Sequence, residues 1–336
     1  MITQRSRCLT EKTLKFGLRL YDVSCRDVVV IFLPMAEEQR VRDAESAVTV
    51  CPSGKRLPES ASRADRSKSH HIALYLIISF VIAWGVWIGC WHLSERGIRG
   101  ADLIPIVIVG SFGPFIAAGV CAAAEGGLVG TLRFYGRVLD WRMGWPVFLT
   151  SVLAVPVMAI ATAAFFERSG ILPTFHIGWT DLPMGYLWLL VLGGPVAEEF
   201  GWSYLSDALD GQLQLRLATL VLGVVWALWH LPLLFLDVPG LSQRYIPFTT
   251  FLAMAIALRF LFSWAYYRGG RSLLSNLLIH NSVNLSFTIV TIVTPALANS
   301  QPRLWCLSFV SALYAASLWR RAPPDPGSAH SPSTSP

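Results

Sequence analysis

Ionisable side chains lie within the apolar stretches of the second half of the chain. Glu198 and Glu199 are adjacent, His230 lies in the next apolar stretch, and His280 is followed four residues later by Asn284. A carboxylate and two imidazoles can activate a water molecule and hold a developing oxyanion. The same set can supply three ligands of a catalytic zinc with one open position. These residue types therefore indicate hydrolytic chemistry, by a metal-free or a zinc-dependent route.

Helical spacing decides which of these side chains can share a face. His280 and Asn284 are four residues apart, so they lie on one helix face about one turn from each other. Adjacent residues of a helix point about 100° apart. Only one of the two glutamates can therefore face squarely into a site shared with the histidines, and the other needs a separate partner.

The elements that must position these residues are transmembrane helices. The 336 residues are 54% hydrophobic and 14% charged, with a mean hydropathy of +0.51, whereas soluble domains are about 25% charged. The apolar residues come in blocks of about 20, the length that a helix needs to cross a bilayer. We therefore predict an all-α, polytopic bundle of about eight helices. The expected spans are about Ile72–Trp91, Leu103–Ala122, Pro146–Phe166, Pro183–Leu205, Leu217–Leu236, Ile246–Tyr267, Ser272–Val293 and Leu304–Trp319.

Three regions follow from composition. Residues 1–70 are polar and basic, and we expect a mostly disordered cytoplasmic extension. Residues 71–321 contain the spans and form the transmembrane domain. Residues 322–336 are rich in Pro and Ser and are expected to be a disordered tail.

Charge and cysteine content indicate orientation and exclude some classes of site. The net charge is +6, but 13 of the 27 Lys and Arg residues lie in the first 70 positions, so no nucleic-acid partner is expected. The distribution of arginines between the loops favours both termini in the cytoplasm, and a plasma-membrane location if the source is bacterial. The six cysteines show no C-x-x-C spacing, which indicates neither a disulfide framework nor a thiolate zinc site.

Charged groups within spans are costly and usually mark a functional interior. The first three predicted spans contain no acidic or basic side chain, whereas the fourth to seventh contain the two glutamates, both histidines and Arg259. We therefore expect one polar site built by helices four to seven. Depth counts along the helices place His230 in that site only if the fifth helix begins early, near Gln212.

Three short motifs in this region resemble those of the CPBP family of intramembrane proteases, which includes CAAX prenyl proteases and bacteriocin-processing, or Abi, proteins. The sequence from Glu198 to Trp202 resembles the E-E-x-x-x-R motif, and that from Trp226 to His230 resembles F-x-x-x-H, with Trp in place of Phe. The sequence from His280 to Asn284 matches H-x-x-x-N. The motifs occur in this order on neighbouring spans, and the resemblance covers about Pro183 to Leu285.

The resemblance implies an eight-helix intramembrane endopeptidase. Glu198 would activate the hydrolytic water, while His230, His280 and Asn284 would assist and stabilise the oxyanion. The substrate would be a membrane-embedded or lipid-modified peptide or protein within the lipid bilayer. The family has also been described as metalloproteases, in which case Glu198, His230 and His280 would bind zinc. We favour a mechanism without a cofactor, because no additional carboxylate or thiolate completes a ligand set.

The chain departs from the first motif at the arginine, where Ser203 stands instead. A serine cannot form an ion pair with Glu199. Arg259 lies in the middle of the sixth span, at about the depth of the glutamates. We predict that Arg259 pairs with Glu199 from this neighbouring helix and leaves Glu198 free to contact the water.

Two other functions use the same buried network. An ion-coupled transporter could relay protons through it, although the sequence shows no inverted repeat. A non-catalytic membrane scaffold is left open by the missing motif arginine. Trp202, Trp226 and Trp229 are interpreted as packing or interfacial residues.

Overall fold

The computed structural model describes residues 10–14, 18–24, 27–31, 59–98, 100–167, 182–238, 241 and 243–322, with side chains from residue 69 onward. The chain divides into two compact units, Met1–Ala61 and Ser62–Pro336. Most of the predicted tail, from residue 323 onward, lies outside the described residues. The boundaries of the extension and of the tail stay predictions.

The first unit contains a three-stranded antiparallel sheet in the order β1-β2-β3. Its strands are β1 Thr10–Leu14, β2 Leu18–Ser24 and β3 Asp27–Ile31. The register shifts between Asp22 and Ser24. Composition did not predict these strands, because each is only five to seven residues long and lies in a polar, basic segment.

Between residues 59 and 322 the described part of the chain forms ten α-helices. The first five are α1 Glu59–Glu95, α2 Ile104–Ser111, α3 Gly113–Gly136, α4 Trp145–Glu167 and α5 Leu182–Leu192. The remaining five are α6 Pro195–Leu209, α7 Leu215–Trp229, α8 Phe248–Arg268, α9 Leu273–Ile289 and α10 Pro302–Arg321.

The predicted all-α membrane bundle is confirmed. Each of the eight expected spans coincides with helical structure, and two of them are broken in the middle: the second divides into α2 and α3 at Phe112, the fourth into α5 and α6 at Gly193 and Gly194. Five segments of the described chain are long and apolar enough to cross a membrane. They are Ser69–Glu95, Gly100–Leu139, Trp145–Glu167, Leu215–Phe235 and Phe248–Arg268.

Helix α6 lies at the centre of the bundle, with nearly all of its residues buried. A Cβ atom on Gly201 would lie 2.3 Å from the Cβ of Pro114, so only glycine allows α6 to pack this closely on the start of α3. Helices α5, α7 and α9 also contact α6, and α8 packs against α7, α9 and α10. The three motif-bearing helices therefore meet in one region.

Candidate active site

The break between α5 and α6 sets the position of Glu198. Gly194 adopts a φ of +115°, which glycine tolerates and other residues rarely adopt. Pro195 then opens α6, where its fixed φ suits the first helical position. Glu198 lies in the first turn of the new helix and Glu199 follows it.

The two histidines occupy different positions in their helices. Helix α7 ends at Trp229, His230 is its C-terminal cap, and a 3-10 helix, Leu231–Phe235, continues the chain. His280 lies in the middle of α9. Helix α7 begins at Leu215, so the prediction of a start near Gln212 is wrong by three residues. The chain at Asp210 and Leu213 forms a β-bridge instead.

Glu199 is the glutamate with a separate partner. The guanidinium of Arg259 donates one hydrogen bond to each of its carboxylate oxygens, both over 2.8 Å. The Nδ1 atom of His280 lies 2.8 Å from Glu199 Oε1. Glu199 is fully buried and Arg259 is 1% exposed. The ion pair predicted from the depth of Arg259 is present.

Aromatic rings surround the Arg259 side of this pair. The guanidinium carbon lies 4.1 Å from the centre of the Trp226 ring and 4.8 Å from that of Phe262. A cation over an aromatic face is attracted by the ring quadrupole, and more strongly where water is excluded. These rings therefore help the Glu199 carboxylate to offset the cost of burying the positive charge of Arg259.

Glu198 is held by indole groups. Its Oε2 atom accepts hydrogen bonds from Trp226 Nε1 over 2.8 Å and from Trp202 Nε1 over 3.3 Å. The Nε2 atom of His230 lies 3.8 Å from the same oxygen. Sequence reasoning assigned both tryptophans to packing and missed this contact. The signal in the sequence is their spacing, since Trp202 lies four residues after Glu198 and Trp226 four before His230.

The second oxygen of Glu198 borders the space beside Gly194. A Cβ on residue 194 would lie 2.8 Å from Glu198 Oε1 and 3.6 Å from His280 Nε2. The absence of a side chain at this glycine therefore leaves open the space between a carboxylate oxygen and an imidazole nitrogen.

Hydrogen bonds fix which nitrogen of each histidine faces the site. His230 Nδ1 lies 2.8 Å from the carbonyl oxygen of Trp226, and a carbonyl can only accept, so this nitrogen carries a hydrogen. His280 Nδ1 donates in the same way to the Glu199 carboxylate. In both rings Nε2 is left for the site. It accepts a hydrogen bond when the ring is neutral and donates one when the ring is protonated.

A cavity of about 530 Å³ brings the predicted residues together. Its polar lining includes Glu198, His230, His280 and Asn284, together with Trp226. Apolar side chains from α5, α8 and α9 form much of the rest. Glu199 is not among the lining residues, which agrees with the helical geometry that allowed only one glutamate to face the histidines.

Asn284 makes a contact that the motif did not predict. Its Nδ2 atom donates a hydrogen bond to the carbonyl oxygen of Gly193 over 2.7 Å. A helix break inside a membrane frees backbone groups that must find new partners. Asn284 thus stabilises the break between α5 and α6, in addition to lining the cavity.

Ser203 takes the place of the motif arginine and is also paired. It is fully buried, and its Oγ accepts a hydrogen bond from Asn276 Nδ2 over 3.0 Å. Arg259 therefore reaches Glu199 from α8. Ser203, one turn after Glu199, instead joins α6 to α9 through a hydrogen bond between neutral groups. Asn276 was not identified from the sequence, because a lone buried amide has no spacing signal.

The alternative to a metal-free site is a zinc ion bound by Glu198, His230 and His280. Among the residues with described side chains, no three His, Cys, Asp or Glu residues form a group that could hold a metal ion. One oxygen of Glu198 already accepts two indole donors.

Comparison with known proteins gives matches that cover the segment with the three motifs. Residues 179–286, which contain all three motifs, match the family model described as Type II CAAX prenyl endopeptidase Rce1-like. A relative from Methanococcus maripaludis, named CAAX prenyl protease 2, is 24% identical over 241 residues, or 67% of this chain and 87% of the relative. The resemblance of this chain to the CPBP family of intramembrane proteases is therefore confirmed.

Proposed function

We propose that this protein is an intramembrane endopeptidase that hydrolyses peptide bonds of prenylated, membrane-associated proteins with a water activated by Glu198. One observation carries the proposal: of two adjacent buried glutamates, Glu199 is ion-paired with Arg259, whereas Glu198 faces a cavity with two histidines. Two neighbouring carboxylates with such different surroundings can take different roles.

Glu198 acts as the general base. Trp202 and Trp226 hold its Oε2 atom, and Oε1 accepts a hydrogen bond from a water in the space beside Gly194. His230 lines the same cavity, and its Nε2 is free to accept a second hydrogen bond from this water, because its Nδ1 donates to the Trp226 carbonyl. Glu198 removes the proton as the oxygen attacks the carbonyl carbon, and later delivers it to the leaving amine.

His280 and Asn284 stabilise the oxyanion. When its ring carries both protons, His280 donates from Nε2 while its Nδ1 stays on Glu199. Asn284 has a second amide hydrogen besides the one it gives to Gly193. Donors placed where charge develops in the transition state are worth about 10²–10³ in rate. Glu199 and Arg259 are positioning residues in this scheme, since they fix the His280 ring.

The substrate class comes from the relatives. The matched family and the relative are both named as CAAX prenyl proteases or endopeptidases. Proteins that end in a C-a-a-X sequence are prenylated on its cysteine. A prenyl chain holds a substrate at the membrane, which suits a cavity built among apolar helices. The same mechanism would also act on a membrane-embedded peptide or on one with another lipid modification.

The test uses the full chain in liposomes with a peptide that ends in a prenylated C-a-a-X sequence. We expect the wild type to release a shorter product, identified by mass spectrometry, and Glu198→Gln to be at least about 10²-fold slower. Glu95→Gln is the matched control, because Glu95 is exposed at the end of α1. Equal rates for Glu198→Gln and wild type contradict the mechanism.

The other outcomes separate the alternatives. Ion-gradient-driven uptake without cleavage would support the transporter, and a wild type that does neither would support the scaffold. Exhaustive chelation tests the zinc route: full activity without bound zinc supports the metal-free mechanism. Activity that is lost on chelation and restored by zinc contradicts it.

A further inference from the structure

A second cavity of about 520 Å³ lies between α8 and α10, away from the candidate active site. Small side chains of both helices line it, including Ala253, Ala257, Ala312 and Ala316, and larger apolar rings border it. It occupies a different face of α8 from Phe251 and Met254, which line the active-site cavity. The groove between α8 and α10 is therefore separate from the hydrolytic site.

Two arginines border this groove at the same end. Arg216 lies at the start of α7, and Arg320 lies at the end of α10. Both are exposed, and no carboxylate among the described residues forms an ion pair with either. No acidic side chain is found among the described residues that line the groove. Two guanidinium groups thus border one end of an apolar groove.

The groove is longer than the hydrocarbon depth of one leaflet. Along α10 its lining extends from Trp305 to Arg320, which at 1.5 Å per residue is roughly 22 Å. Half of the hydrocarbon core of a bilayer is about 15 Å. A phospholipid whose headgroup lies at the arginines can therefore keep its acyl chain in the groove across the full depth of that leaflet.

We propose that this groove binds a phospholipid with an anionic headgroup, with its phosphate at Arg216 and Arg320 and an acyl chain between α8 and α10. Basic pockets between transmembrane helices select anionic headgroups, and guanidinium groups bind phosphate with paired hydrogen bonds. The prenyl chain of a substrate has no anionic group for the two arginines. The groove also lies on another face of α8 from the catalytic side chains.

The experiment titrates the purified full chain in detergent with phosphatidylglycerol or with phosphatidylcholine of the same acyl chains. Native mass spectrometry counts the lipids that stay bound. We expect wild type to retain one phosphatidylglycerol in preference to phosphatidylcholine. The Arg216→Gln/Arg320→Gln variant should bind phosphatidylglycerol about thirty-fold more weakly. Each arginine contributes about 1 kcal/mol to the binding of an anionic lipid, and about 1.4 kcal/mol corresponds to a tenfold change in affinity. Arg268→Gln/Arg321→Gln is the matched control, because it removes the same charge from exposed arginines at the ends of α8 and α10 that do not line the groove.

A second variant tests the apolar part. Ala312→Trp should fill the groove and lower phosphatidylglycerol retention while both arginines are kept. Equal retention of the two lipids by wild type, equal loss in the control pair, or unchanged binding in both test variants overturns the proposal. Displacement of the lipid by inorganic phosphate or by a free isoprenoid alcohol also overturns it. All of these measurements are independent of peptidase activity.

Discussion

Arg259 on α8 and Glu199 on α6 form a bidentate ion pair, with both hydrogen bonds 2.8 Å long and both side chains buried. The contact joins residues 60 positions apart. Since His280 donates to the same carboxylate, three helices meet at Glu199. The ring of His280 is therefore oriented through a residue that does not itself border the active-site cavity.

Arg259→Leu should destabilise the protein strongly. Removing one partner leaves an uncompensated buried carboxylate, which typically costs about 3–5 kcal/mol. Thermal unfolding of the detergent-solubilised protein would measure the loss, and Arg268→Leu at the exposed end of α8 is the control. The double change Glu199→Leu/Arg259→Met should recover part of the stability but not the activity, because His280 loses its acceptor. An Arg259→Leu protein as stable as wild type contradicts the role of the pair.

Trp226→Phe should slow catalysis by about tenfold while the fold is retained. The change removes the N–H that binds Glu198 Oε2 but keeps an aromatic ring beside Arg259. Peptide cleavage by the variant and by wild type in liposomes is the measurement. Trp229→Phe is the matched control, because its buried Nε1 has no hydrogen-bond partner in the described structure. Identical cleavage rates for Trp226→Phe and wild type would count against the indole contact.

Gly194→Ala should abolish most of the activity, by about 10²-fold or more. The new methyl group would lie 2.8 Å from Glu198 Oε1, and alanine does not tolerate the φ of +115° at this position. Gly185→Ala in α5 meets no atom within 4 Å, so it should leave the rate unchanged and stabilise the helix by about 0.5–1 kcal/mol. Peptide cleavage and thermal unfolding of both variants are the measurements. A fully active Gly194→Ala enzyme would show that the space beside this glycine is not used.

Asp207→Asn should lower stability but leave the catalytic rate per folded molecule intact. Asp207 accepts hydrogen bonds from Arg137 and Arg271 over 2.7 Å each and from the Tyr266 hydroxyl over 2.9 Å. The cluster is partly exposed, so we expect a loss of about 1–3 kcal/mol, the range for an unsatisfied partner. Leu209→Ile, at the end of the same helix, controls for local repacking. A rate loss larger than the loss of folded protein would link this cluster to catalysis.

Much of the site was accessible from sequence because charge inside a membrane is rare. Two glutamates, two histidines and Arg259 were identifiable within apolar spans, and helical geometry separated the roles of Glu198 and Glu199. The pairing of Arg259 followed from depth alone. Those arguments rest on solvation cost, which does not depend on details of packing.

The remaining contacts depend on packing, which local sequence does not determine. The indole of Trp226 donates to Glu198 across 28 residues, but a tryptophan that donates within a site has the same sequence signature as one that packs. The helix break in the fourth span, by contrast, has a local signal in Gly193-Gly194-Pro195, which the prediction of one continuous span from hydrophobicity overlooked. The start of α7 was misplaced because the estimate used depth and ignored the β-bridge before the helix.

The Glu199–Arg259 pair also constrains how the protein is made. Glu199 emerges from the ribosome 60 residues before Arg259, which at 5–20 residues per second is about 3–12 s. During that interval α6 carries two carboxylates into the insertion machinery with no cation to meet them, and each acidic group at the centre of a helix opposes insertion by about 3 kcal/mol. We therefore expect α6 to stay at the translocon, partly outside the lipid, until α8 arrives. Helices α6 to α8 would then enter the bilayer together, as one cooperative unit of biogenesis.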